Sequence, residues 1–400
     1  MIIPKIENSA TKSKKTRNSP KTTLISLSSP TNESKQALRI IKAAETTALM
    51  ETNSVKNLIV RLLIKPLKKV ICYIVTYFIL KIKKNLKFSV NFHIREENMK
   101  QDKELTYSEL IEKLNEISSN HSIVEFSYIG ESLLKKPIPL ISIGDKNAEK
   151  SVLYVGTHHA MENIVTSVLI RFILDYAGAY ERHGQICQIN SHYLFKMRRI
   201  YIVPMLNPDG VDYRLNGISK DNPLADRVIS YNGGTDFSTW QANARGVDLN
   251  HNYDAYFEEY KALERERDIT AGKTKYSGEY PESEPEVSAI CNFIRYHLDT
   301  LCGVLSLHTQ GKEIYFSSRG EFSKKSYHVA KILSKLSKYE LSEPTDTASY
   351  GGLTDWLITK HNLPSFTIEC GKGKNPLPKE DLGEIYTDLR DLLFTFPILF

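Results

Sequence analysis

The chain has 400 residues, 41% of them hydrophobic, enough for one large core or two small ones and too much for a fibrous chain or one disordered throughout. Five cysteines, at 72, 187, 291, 302 and 370, form no C-x-x-C pair and leave one over, which argues against a disulfide framework and for a reducing, cytoplasmic setting. The net charge of +6 is uneven: residues 1–98 hold 19 Lys and Arg against 6 Asp and Glu (+13), whereas residues 99–400 hold 34 against 41 (−7), so the part rich in motifs is acidic and offers nucleic acid no basic stripe.

Residues 4–36 are rich in Ser, Thr, Lys and Pro and poor in large apolar groups, a composition that does not repay the entropy of ordering. In residues 58–88 the longest uncharged run, Val70 to Leu80, has 11 residues, against the roughly 20 a bilayer span needs. Membrane association would follow only if that stretch forms a surface helix, and the stretch lies too far along the chain for an ordinary signal peptide. The run REENM at 95–99 is what a purine-rich ribosome-binding site would encode, so Met99 is a candidate start. The expected organisation is a basic, largely disordered extension over 1–98, which need not belong to the native protein, followed by a catalytic domain over 99–400.

Residues 108–117 carry apolar groups at helical spacing, and VEFSYIG and IPLISIG read as two strands around a turn. SVLYVG (151–156) is a short buried strand. It runs into an amphipathic helix with Ile164, Val165, Val168, Leu169, Phe172 and Ile173 on one face. RRIYIVPML (198–206) is another strand ending in NPDG, and the polar, Gly-rich stretch to about residue 247 reads as loop. Ser283 and Glu286 suggest a capping box with Pro285 in the first helical turn. Residues 302–311 and 363–371 read as buried strands, with helices over 322–338 and 352–361 between them. Alternating strands and helices indicate an α/β sheet with helices on both faces, which binds ligands beyond the carboxyl ends of its strands. Those ends carry His158 to Glu162, Asn207 to Gly210, His308 with Gln310, and Glu369.

The stretch GTHHAME at 156–162 contains H-x-x-E, a weak pattern alone, since 11 histidines yield about one chance match in this chain. His159 and Glu162 are three apart at a strand-to-helix junction, where both can point into one cleft. A third ligand from another strand end, His308, would complete a His₂Glu zinc set with a fourth position open. Taken singly, a strand-end histidine such as His308 is more often a hydrogen-bonded structural residue; three partners at one end of one sheet weaken that reading. Read from His158, the i, i+3 partner is Met161, a poor zinc ligand, and strand alternation lets only one of the two neighbours face the cleft easily. His158 is therefore assigned to packing or the rim. Glu369 ends an apolar strand, where an unpaired carboxylate is costly; it is either the partner of a buried cation or the general base. Asp248 is placed to accept the free ring N–H of a zinc histidine.

These residues and their order resemble the zinc carboxypeptidase superfamily over roughly 105–395: GTHHAME, NPDG at 207–210, GVDLNHNYDA at 246–255, SEPE at 283–286, LHTQG, and GGLTDW followed by FTIE. The resemblance implies a mixed, roughly eight-stranded sheet flanked by helices, one zinc ion on His159, Glu162 and His308, and Glu369 as base. Where carboxypeptidases hold arginines for the substrate carboxylate and the oxyanion, this chain has Met161, Gln241 and His251, with Asn250 kept. The tyrosine that closes over substrate falls on Thr347, with Tyr350 nearby. Gln241, Asn250, His251 and Tyr350 are thus the expected substrate contacts, and Arg245 is the candidate for oxyanion stabilisation. Loss of bidentate guanidinium groups weakens carboxylate recognition. Segments such as HTQGKEIYF are similar to the bacterial γ-D-glutamyl-L-diamino acid endopeptidases, which implies cleavage of peptidoglycan stem peptides. The alternatives are a metallocarboxypeptidase using His251, and a wall-binding module without activity.

Overall fold

The computed structural model describes residues 104–345 and 347–400, within the unit Ile94–Phe400. The expectations for a disordered tail, a surface helix at 58–88 and a start at Met99 lie outside the described residues. Among those described, no helix is long and apolar enough to cross a membrane.

Helix α1 (Tyr107–Asn120) begins at a reciprocal cap, in which Glu109 N–H reaches Thr106 Oγ1 at 3.4 Å and Thr106 N–H reaches Glu109 Oε2 at 3.0 Å. It leads into the antiparallel pair β1 (Val124–Glu131) and β2 (Pro137–Ile143). Strand β3 (Ser151–Gly156) follows, then α2 (Ile164–Glu181), a small hairpin of β4 (Gln185–Ile186) and β5 (Ile189–Asn190), α3 (Ser191–Met197) and β6 (Arg199–Val203).

The stretch expected as loop contains α4 (Pro208–Asn216) and α5 (Ala225–Asn232). Asn207 and Pro208, turn formers by composition, act here as an N-cap and a first-turn proline, with Asn207 Oδ1 accepting from Gly210 N–H at 3.0 Å. The glycine signal near 233 is a helix stop: Gly233 closes α5 in the left-handed region at φ 73°. Helix α6 (Phe257–Glu266) precedes α7 (Pro285–His297). The capping box expected at Ser283 and Glu286 does not form. Ser283 Oγ donates to Glu284 and accepts from Asn252, while Glu286 accepts Leu133 N–H from the β1–β2 turn, so distant partners outcompete the local one. Burial pushes the Glu286 carboxyl up to about 8.

Strands β7 (Leu301–His308) and β8 (Glu313–Tyr315), α8 (Lys324–Ser337), the short β9 (Glu340–Leu341), α9 (Leu353–His361), β10 (Ser365–Glu369) and α10 (Leu382–Thr395) complete the chain. Eight strands form one mixed sheet in the order β1-β2-β6-β3-β7-β10-β8-β9, with ten α-helices among the described residues.

Alternation along β3 explains the two layers. Val152 and Tyr154 join the core with α2, α8 and α10, while Leu153 and Val155 join the core with α7 and α9. The middle strands β6, β3, β7 and β10 are mutually parallel, so their carboxyl ends emerge side by side. Glu369 lies in register with His308, and Gly156 with Leu307. That alignment gathers the chemistry at one edge.

Candidate active site

Strand β3 stops because Thr157 adopts φ 56°, a costly conformation for a β-branched residue, which turns the chain into the 3₁₀ turn Ala160–Glu162. The two adjacent histidines then part. His158 is fully buried, with Nε2 2.8 Å from Tyr253 Oη, and serves packing. His159 turns into the cleft, where its Nδ1 lies 2.9 Å from Glu162 Oε1 and its Nε2–H donates to Asp248 Oδ1 at 3.0 Å. His308 Nε2 bonds Ser306 Oγ at 3.1 Å, which leaves Nδ1 facing Glu162 Oε2 at 3.1 Å and His159 Nδ1 at 3.3 Å.

One ligand atom from each of His159, Glu162 and His308 lies within 4.8 Å of the others. Each ring has its outer nitrogen engaged and its inner one turned toward the other ring and a carboxylate. That arrangement suits a bound cation, and the N₂O donor set suits zinc. The electrostatics agree. Burial alone would lower the His159 pKa, but the Glu162 and Asp248 carboxylates raise it well above the usual value. Burial works against ionised Glu162, yet His159 and His308 hold its carboxyl at about 2. Positive charge is favoured between these groups. Thr309 N–H donates to Glu162 Oε2 at 3.2 Å, which fixes the carboxylate from the β7 side.

Glu369 lies beside His308 and keeps an edge open to the cleft. Enclosure by protein, followed by repulsion from Glu162, raises its pKa well above the usual carboxyl range, which suits a group that must accept and release a proton. Asp248 caps the 3₁₀ turn Leu249–His251 through Asn250 N–H on Oδ1 at 3.2 Å and accepts Lys275 N–H on Oδ2 at 3.0 Å, so bonds to both oxygens fix the carboxylate that orients His159. We expect Asp248→Asn to weaken zinc binding by about 10- to 100-fold, measured by competition with a chelator. Unchanged affinity would show that Asp248 does not orient the ligand.

Among the proposed substrate contacts, Gln241, Asn250 and His251 line the cleft. Gln241 Oε1 accepts from Thr274 Oγ1 at 2.8 Å and Asn250 Oδ1 accepts Leu353 N–H at 3.1 Å, which leaves both amide NH₂ groups as neutral donors. His251 stacks on Tyr260 with ring planes 5° apart, and its Nδ1–H donates to the Tyr350 carbonyl at 2.6 Å. Burial lowers its pKa, so it is neutral at neutral pH and does not replace a guanidinium.

Two placements differ from expectation. Arg245 does not reach the cleft: its guanidinium forks onto Glu284, with Nε and Nη2 each 2.8 Å from a carboxylate oxygen, and it also donates to Ser283 O. The buried Glu284 carboxylate requires a cationic partner beside its bonds from Asn243 and Ser283, and Arg245 supplies it. Tyr350 meets the site through its carbonyl, whereas its ring packs near Tyr256, Tyr260 and Arg319.

Sequence reasoning missed Thr274, Lys275, Thr354, Asp355 and Thr367, which also line the cleft. The GGLTDW and FTIE motifs held Thr354, Asp355 and Thr367 in plain view as family markers. Thr274 and Lys275 stand in a loop with no local signal. Asn207, suspected as a strand-end polar group, is structural: its NH₂ donates to the carbonyls of His158, Gln241 and Ala242 and ties three loops together.

An α/β sheet that presents two histidines, a glutamate and a separate carboxylate at its carboxyl edge defines a zinc metallopeptidase. The sequence pattern of the zinc carboxypeptidase family, peptidase M14, matches residues 109–391, and the chain belongs to that family. It is 34% identical over 285 residues to γ-D-glutamyl-L-diamino acid endopeptidase 1 of Lysinibacillus sphaericus, spanning 70% of this chain and 69% of the relative. It is 32% identical over 298 residues to an uncharacterised protein of Bacillus subtilis (strain 168), spanning 74% and 78%. Bovine thrombin-activatable fibrinolysis inhibitor, solved with a tick carboxypeptidase inhibitor, superposes with a TM-score of 0.55 at 20% identity, spanning 73% of this chain and 95% of that one; this likeness concerns the fold alone.

Proposed function

We propose that this zinc peptidase hydrolyses the bond between γ-linked D-glutamate and an L-diamino acid in peptidoglycan stem peptides. The observation that carries the reading is the cleft wall: where the family resemblance expects guanidinium groups for a terminal carboxylate, Gln241 and a neutral His251 stand instead. The other wall, with Thr354, Thr367 and Asp355, is polar and suits a diamino side chain better than an apolar one. The likeness to the Lysinibacillus enzyme supports the same reading.

His159, Glu162 and His308 would hold zinc, which would supply Lewis acidity toward the scissile carbonyl and lower the pKa of water so that it loses a proton readily. Glu369 takes the proton of the attacking water and returns it to the leaving nitrogen. The NH₂ groups of Gln241 and Asn250 offer hydrogen bonds to substrate oxygens, and Asp248 keeps the His159 proton on Nε2.

Incubation of the zinc-loaded chain with defined stem peptides is expected to release the alanyl-γ-glutamyl fragment, identified by mass spectrometry, and blocking the peptide C-terminus should leave cleavage intact. Release of C-terminal residues alone, abolished by that block, would instead make the protein a metallocarboxypeptidase. Zinc binding without turnover would indicate a wall-binding module.

A further inference from the structure

Lys275 is the one lysine or arginine among the residues lining the cleft. Its backbone is pinned from two sides. The N–H donates to Asp248 Oδ2 at 3.0 Å and the carbonyl accepts from Tyr260 Oη at 2.7 Å. The residue sits at φ 70°, a left-handed conformation that glycine would adopt at lower cost. Asp248 holds His159 with its other oxygen, so Lys275 is rooted one side chain away from the metal ligands. The side chain itself is exposed and has no carboxylate partner among the described residues. A strained, doubly anchored backbone on the cleft wall, carrying an exposed and uncommitted ammonium group, is the arrangement expected of an anion-recognising residue.

A γ-glutamyl amide differs from an ordinary peptide in a way that this cation can detect. Because the bond is made through the side-chain carboxyl, the α-carboxylate remains free on the acyl side of the scissile bond. An ordinary α-peptide has no such charge there unless its side chain is acidic. The neighbouring wall residues Gln241 and Thr274 are neutral and bonded to each other, so Lys275 alone on that wall can set a positive charge against a carboxylate.

We propose that Lys275 binds the free α-carboxylate of the γ-linked glutamyl residue and thereby sets the preference for γ-linked substrates. This rests on the γ-glutamyl reading above. The test uses the zinc-loaded full chain and four stem peptides, in which the glutamyl α-position is carboxylate or carboxamide and the C-terminus is free or amidated.

The wild type should favour α-carboxylate over α-carboxamide by about 10- to 100-fold in kcat/KM. Lys275→Met should collapse that ratio to within about threefold, mainly through KM, whereas Lys275→Arg should largely keep it. The response to the C-terminal group should be the same in all three proteins. A Met variant that keeps the α-carboxylate preference, loses activity equally on acid and amide, or changes its C-terminal preference instead overturns the assignment. A wild type that cuts γ-glutamyl peptides without preferring the α-carboxylate overturns the Lys275 role alone. A wild type that cuts none of the four overturns the γ-glutamyl reading and the Lys275 role with it.

Discussion

Glu369→Gln is expected to bind zinc at the stoichiometry of the wild type and to turn over about 10³-fold more slowly or worse. Glutamine keeps the size and one acceptor oxygen of the side chain and removes only its capacity to take a proton. It also relieves the repulsion from Glu162 that, after burial, raises the Glu369 pKa, so nothing in the substitution opposes metal binding. The loss should fall on kcat rather than KM, because the proton moves only in the transition state. Metal analysis together with steady-state kinetics on a cleaved stem peptide checks both halves. Near-normal turnover would remove Glu369 from the mechanism.

A ligand change separates metal binding from proton transfer. His308→Ala should lower zinc affinity by roughly 10³-fold, since one of three ligands carries about a third of a zinc binding free energy that is typically 10–16 kcal/mol for structural sites. Activity should vanish at stoichiometric zinc and partly return in excess metal, whereas the Glu369 variant should not recover. His308 ends β7, and among the described residues its side chain bonds only Ser306 beyond the metal cluster, while its carbonyl keeps the Cys370 N–H, so the sheet should persist. Thermal unfolding of the metal-free proteins checks this. A full complement of tightly bound zinc in His308→Ala would place the metal elsewhere.

The contrast between local and distant partners explains how far the sequence could be read. Helix α1 and strands β3, β6, β7 and β10 were visible because each carries its own periodicity or apolar run. Helices α4 and α5 were hidden because they begin and end with residues that also make turns, Asn-Pro in one case and glycine in the other. Arg245 was misplaced for a related reason. A guanidinium near a catalytic motif looks available until the fold brings in a buried carboxylate such as Glu284, 39 residues later, which claims it.

By itself the sequence singled out the candidate metal set, because strand alternation and the i, i+3 spacing favour His159 with Glu162 and alternating strands and helices put His308 and Glu369 at the same edge. The family followed from the order of those motifs. Only the tertiary structure decided which nitrogen of each histidine is left free to hold a metal, since that depends on Asp248 and Ser306 claiming the other one. It also decided the charge of the cleft wall. His251 is neutral because packing buries it against Tyr260, and Lys275 enters the site because a bond to Asp248 folds its loop inward. Both effects act between residues far apart in the chain, where spacing carries no information.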